Sequence, residues 1–152
     1  MGLLNRIEEL EKELLELKEQ VKEQQEFPQS GERYWYSNGG GMVNSCFWKS
    51  EQFDLNRYRI GNMFKTEKEA EFAVEKLKVE EELRKFGRPF KEDEYNYFIQ
   101  IHPSHNNIVT DSDDYYQTQG TIYFESTAIA NEATDTVGAD RIKKYLFGVE
   151  EQ

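Results

Sequence analysis

The sequence predicts an α+β chain, with an N-terminal parallel coiled-coil helix followed by two degenerate hairpin–strand–helix units. Three observations carry that prediction. Leu3, Ile7, Leu10, Leu14, Leu17 and Val21 alternate steps of four and three, the spacing of a coiled-coil seam. The run Phe64-Lys65-Thr66-Glu67-Lys68-Glu69 reads as a strand end entering a capped helix, with Ala70, Ala73, Val74 and Leu77 on one helical face behind it. A degenerate copy follows. Offsets of four, seven, eight and eleven from Thr66 meet small or apolar residues, and the same offsets from Ser126 meet Ala130, Ala133, Thr134 and Val137. Phe64 and Phe124 each stand two before the cap, and Gly61 and Gly120 precede them. Two such copies are a duplicated unit rather than a solenoid.

The leading helix is expected over 1–27. Ile7, Leu14 and Val21 take position a; Leu3, Leu10 and Leu17 take d. Arg6 and Glu13 then fall at g, Glu11 and Lys18 at e. On a parallel neighbour Arg6 faces Glu11 and Glu13 faces Lys18, both with opposite charge, so register and polarity agree on parallel self-association. Ile and Val at a with Leu at d favour two strands. The string Arg6-Ile7-Glu8-Glu9-Leu10-Glu11 matches the pattern of short three-stranded coils, and we place a homotrimer ahead of a homodimer. Pro28 stops the helix.

After a linker over 27–32 the first unit spans 33–90. It is read as a hairpin over 33–48 turning at Asn38-Gly39-Gly40-Gly41, a loop over 50–56, a third strand over 57–65 and a helix over 66–86. In the capping box the Thr66 hydroxyl should accept from the Glu69 amide, and the Glu69 carboxylate should reach the Thr66 amide. Gly87 is read as a left-handed helix cap before Pro89. The second unit, 94–150, repeats the plan with strands over 95–102, 107–111 and 120–124. A helix over 126–137 breaks at Gly138, and a last helix over 140–147 is capped by Gly148.

Charge narrows the function classes. The 152 residues hold 30 Asp and Glu against 19 Lys and Arg, net −11, distributed as −4 over 1–29, +1 over 30–90 and −8 over 91–152. Duplex nucleic acid is bound through cationic side chains, so no direct duplex complex is expected. An acidic surface serves solubility, or imitates nucleic acid toward a basic protein. Cys46 is the single cysteine, which excludes an intrachain disulfide. No apolar run approaches the ~20 residues of a membrane span. The N-terminus lacks a signal-peptide pattern, and Arg6 breaks a myristoylation site. No membrane partner is expected, and the expected location is cytoplasmic.

No catalytic constellation, cofactor motif or metal motif emerges, and the chain is read as non-enzymatic. His102 and His105 lack further ligands and read as turn residues. Asp111-Ser112-Asp113-Asp114 lacks the Gly and Glu of a calcium loop. The triple glycine is followed by no phosphate-loop lysine. One concentration does point to a ligand. Arg33, Arg57 and Arg59 are interleaved with Trp35, Tyr36, Trp48 and Asn62. Guanidinium forks match phosphate, aromatic faces stack on bases, and Asn reads polar edges. With 57–65 as a strand, Arg57 and Arg59 share a face and Tyr58 points away. These seven residues are the expected ligand site. The other reading pairs the arginines with the Glu-rich helices of a neighbouring chain.

The residues Asp54, Arg57-Tyr58, Gly61-Asn62, Phe64-Lys65-Thr66-Glu67 and Glu69-Ala70-Glu71, with the closing run 137–149, VGADRIKKYLFGV, carry a resemblance. From 34 to 83 and from 97 to 149 the chain resembles small uncharacterised proteins encoded in phages and prophages of Gram-positive bacteria. The resemblance implies an accessory product acting in the host cell cytoplasm, and by analogy an anti-defence protein. The leading expectation is a binder that sequesters a nucleotide-type immune signal. The alternatives are an acidic, protein-directed inhibitor of an immune effector such as a CRISPR nuclease, and an oligomeric structural or virion adaptor.

Overall fold

The computed structural model describes residues 2–24 and 26–150. Met1 and Gln25, within the expected helix 1–27, lie outside the described residues, as do the last two residues. The chain is α+β, with five helices and two separate two-stranded antiparallel sheets among the described residues. It divides into two compact units, 1–70 and 71–152.

Unit 1 opens with helix α1 (Leu3–Gln24). None of its residues is buried, and the six seam residues are 47–86% exposed. Arg6 pairs with Glu9 of its own helix at 3.1 Å. Strands β1 (Arg33–Ser37) and β2 (Val43–Phe47) form the first hairpin, with Tyr34 opposite Cys46 and Tyr36 opposite Asn44. The Asn38 side chain closes its turn, accepting from the amides of Gly40 and Met42 at 2.9 and 3.0 Å.

The expected third strand over 57–65 is not formed. Its first three residues belong to helix α2 (Gln52–Arg59). Gly61, at φ 74°, ends that helix. The Asn62 and Gly61 amides donate back to the carbonyls of Arg57 and Tyr58 at 2.9 and 3.1 Å, the paired bonds of a Schellman cap that glycine accommodates. Of the strand only Phe64 remains, exchanging two backbone bonds with Trp35 at 2.8 and 2.9 Å.

Helix α3 (Glu67–Arg84) follows, and the boundary between the units falls within it. Thr66 Oγ1 accepts from the Glu69 amide at 3.2 Å as expected, but the Glu69 carboxylate accepts from Lys65 rather than Thr66, at 3.1 Å. Gly87 is not a left-handed cap. An added Cβ there would lie 2.9 Å from Ile122 Cγ2 and 3.1 Å from the Tyr123 carbonyl, so the residue permits a close chain approach.

Unit 2 continues with β3 (Asn96–His102) and β4 (Asn107–Asp113), the second hairpin. The expected strand over 120–124 is reduced to single bridges, Arg88 with Tyr123 and Tyr97 with Phe124. Helices α4 (Thr127–Val137) and α5 (Ala139–Leu146) meet at Gly138, whose φ is 106°. Ser126 caps α4 by accepting from the Ile129 amide at 3.2 Å. Val79, Leu83, Phe124, Ala130, Ala133, Val137 and Ile142 form the core of this unit. Arg141 binds Glu82 through both terminal nitrogens, at 2.6 and 3.4 Å. Among the described residues no helix is long and apolar enough to cross a membrane.

Candidate functional site

Unit 1 gathers part of the expected ligand set around a buried polar node. Tyr34 of β1 and Asp54 of α2 are fully buried. The Tyr34 hydroxyl donates to Asp54 Oδ1, and Arg57 donates to the Tyr34 oxygen at 2.9 Å. Asp54 Oδ2 accepts from the amides of Lys49 and Glu51 at 3.0 and 3.1 Å. Because Glu51 is the N-cap of α2, one carboxylate both opens the helix and anchors it to β1. Burial alone would raise the Asp54 pKa. The Tyr34 hydroxyl, the two amides and the Arg57 charge outweigh that and hold it below the usual carboxylate range. Burial, and then the bond to Asp54, push the Tyr34 hydroxyl above the usual phenol range.

Arg57 covers the Tyr36 ring at 3.5 Å and lies 5.0 Å from the Phe53 ring, a partly buried cation–π arrangement. Trp48 meets Tyr34 and Tyr58 edge-on at 6.4 and 6.2 Å. Tyr36, Trp48 and Arg57 are thus brought together around Tyr34 and Asp54. The other four expected residues are placed elsewhere. Arg33 and Trp35 alternate to the opposite side of β1 from Tyr34 and Tyr36; Arg33 lies over Phe47 at 5.2 Å and Trp35 carries the bridge to Phe64. Asn62 clamps Ser37, accepting from its amide at 2.8 Å and donating to its carbonyl at 2.7 Å. Arg59 is exposed in the last turn of α2. On a helix, residues two apart diverge by about 200°, so Arg57 and Arg59 do not share the face that a strand would give them.

Unit 2 has an equivalent node. Asn96, fully buried, stands just before the bridging Tyr97, as Tyr34 stands just before the bridging Trp35. Its Oδ1 accepts from Arg88 at 2.7 Å and from the Lys91 amide at 2.8 Å. Its Nδ2 donates to the carbonyls of Lys91, Glu94 and Asp113 at 2.8, 2.9 and 3.2 Å. Arg88 also donates to the carbonyls of Pro89 and Tyr95, both at 3.0 Å. The Glu125 carboxylate sits against its Nε as an ion pair rather than an aligned hydrogen bond. Arg88 thus serves the second unit, although it falls within the 33–90 span expected for the first.

Around this node the backbone carries three exposed aromatics: Tyr95 at 62%, Tyr115 at 79% and Tyr116 at 68%. Asp113 Oδ1 accepts from the amides of Tyr115 and Tyr116 at 2.8 and 3.0 Å. Those two bonds, Tyr116 first, hold the Asp113 carboxyl below its usual range. Sequence reasoning missed both nodes. For the second, the signal is a polar residue at the end of each strand, Asn96 opening β3 and Asp113 closing β4.

At the tip of the second hairpin His102 and His105 stack at 4.8 Å. Among the described residues no group of three or more His, Cys, Asp or Glu is placed to hold a metal ion. Compared with protein-family models, curated proteins and solved structures, the chain has no match in any of the three.

Proposed function

We propose that this chain is a non-enzymatic accessory protein that self-associates through α1 and acts by binding and occluding a partner protein. The observation that carries the reading is the seam. Leu3, Ile7, Leu10, Leu14, Leu17 and Val21 stay exposed in the single chain, on a helix whose e and g charges complement a parallel copy. Covering a large aliphatic side chain is worth about 1.5–3 kcal/mol, and an isolated helix of this length is marginal in water. A parallel bundle of two or three copies satisfies both terms and gathers the heads into one cluster.

Within the anti-defence class implied by the resemblance, a protein target is favoured over a nucleotide signal. Arg57, the centre of the expected ligand face, donates inward and is balanced by Asp54. Asn62 uses both ends of its amide on Ser37. Freeing Asn62 takes both partners from the half-buried Ser37 backbone, and freeing Arg57 takes the compensating charge from buried Asp54, each at about 1–3 kcal/mol. The acidic second unit has no such commitment of its exposed tyrosines.

Light scattering on the full chain at micromolar concentration tests the reading. Wild type should give two or three times the 18.0 kDa chain mass, and Leu10→Lys with Leu14→Lys should reduce it to one chain while both hairpins stay folded. A wild-type monomer overturns the proposal.

A further inference from the structure

Three large aromatics stand exposed at the open end of the β3–β4 hairpin, where Asn96 pairs with Asp113. Tyr95 precedes that pair in the chain; Tyr115 and Tyr116 follow it. Scattered exposed aromatics are ordinary surface. These differ because their backbone is held from beneath. Arg88 fixes the Tyr95 carbonyl, Asn96 fixes the Asp113 carbonyl, and Asp113 fixes the amides of Tyr115 and Tyr116. The Tyr115 and Tyr116 rings add an edge-to-face contact at 4.8 Å. A rigid, two-torsion aromatic on a pinned backbone loses little entropy on contact, which is why tyrosine is enriched in binding hot spots.

Charge selects the occupant. Glu92, Asp93, Glu94, Asp111 and Asp114 flank the tyrosines in sequence; Arg88 and Lys91 each lie 3.9 Å from Glu94, which leaves the excess negative charge on Glu92, Asp93, Asp111 and Asp114. Residues 91–152 carry net −8. Nucleic acid, anionic lipid and a second copy of this unit all present the same sign and are repelled. A cationic protein segment is attracted, and arginine suits the surface better than lysine, since its planar guanidinium stacks on aromatic rings and forks onto carboxylates.

We propose that Tyr95, Tyr115 and Tyr116, with the carboxylates around them, form a docking platform for an arginine-rich segment of a partner protein. The inference rests on the protein-directed reading above and names its surface. A binder here covers a basic segment by aromatic stacking and charge together, so both terms can be removed separately.

The test uses the full-length protein, a fluorescent arginine-rich peptide and a lysine-rich peptide of equal length and charge, at two salt concentrations. The platform predicts tighter binding of the arginine peptide. Tyr115→Ala with Tyr116→Ala should weaken it about tenfold with no change in thermal midpoint. Tyr115→Phe with Tyr116→Phe should restore it. Asp114→Lys should lower the affinity and flatten its salt dependence. Equal binding of the two peptides, wild-type binding by the alanine variant, or no binding of the arginine peptide each overturns the platform. The seam variant Leu10→Lys with Leu14→Lys separates the two readings. If it stays assembled or the wild type is already a monomer, the assembly proposal fails and the peptide result still stands. If assembly behaves as expected and the peptide test fails, the platform alone falls.

Discussion

Tyr34 in unit 1 and Asn96 in unit 2 each stand immediately before the strand residue that bridges to a phenylalanine two positions ahead of a helix cap. Both are fully buried and both centre a polar network. In unit 1 the hub is a carboxylate: Asp54 accepts from a phenol and two amides, and Arg57 supplies the compensating charge from inside. In unit 2 the hub is a neutral amide that accepts on one side and donates on the other, while the charges of Arg88 and Glu125 lie at its edge. The two units thus use different solutions to burying a polar group beside a hairpin. The difference has a structural consequence. The first node turns its best anion-binding cation inward, whereas the second turns backbone order outward to three exposed tyrosines.

The comparison breaks most readily at Asp54. Asp54→Ala strands the Arg57 charge and two amides, and we expect a loss of about 3–5 kcal/mol by equilibrium urea unfolding. A loss comparable to an exposed substitution contradicts the node.

Isosteric swaps sharpen the contrast. Asn96→Asp sets a carboxylate against the carbonyls of Lys91, Glu94 and Asp113; Asp54→Asn sets an NH2 group against the Tyr34 hydroxyl or the amides of Lys49 and Glu51. Each keeps volume and loses polarity match, so each should cost about 2–3 kcal/mol. If either swap is neutral in urea titration, the assignment of donors and acceptors in that node is wrong.

The two hubs also differ in titration. The Asp54 pKa is depressed in the folded chain. Its stabilisation is therefore complete above the ordinary carboxylate value of about 4 and is lost as pH falls through the lower folded value. Asn96 does not titrate. The cost of Asp54→Asn should shrink between about pH 7 and about pH 3, while the cost of Asn96→Ala stays level. Parallel pH profiles contradict the contrast.

The smallest expected effect lies where the units agree. Thr66→Ala and Ser126→Ala remove equivalent caps, and each should lower stability by about 1 kcal/mol. Losses that differ widely under thermal unfolding argue that the caps are not equivalent.

Much of this frame was legible in the sequence because it rests on local rules. The leading helix, the turn at Asn38, the caps at Thr66 and Ser126 and the break at Gly138 each depend on a few adjacent residues. Helix α2 was not legible in that way. Arg57-Tyr58-Arg59-Ile60 has strand-forming composition, and only the Glu51–Asp54 start and the Gly61 cap reveal the helix. A strand over 57–65 would set Arg57 and Arg59 on one face, whereas helix α2 separates them. The nodes themselves join residues 20 or more apart in unit 1, Tyr34 to Asp54 and Arg57. Such pairings follow from the folded arrangement and leave no periodic trace.

The most direct test of assembly is a disulfide at the seam in a Cys46→Ser background. Leu10→Cys places one thiol per chain at a d position, where parallel helices bring it beside its counterpart. After oxidation we predict covalent pairs at twice 18.0 kDa, reaching completion for two strands and a plateau of about two-thirds of the chains for three. If every chain remains at 18.0 kDa under oxidation, the helices do not run side by side in register, and the clustered-head account is contradicted.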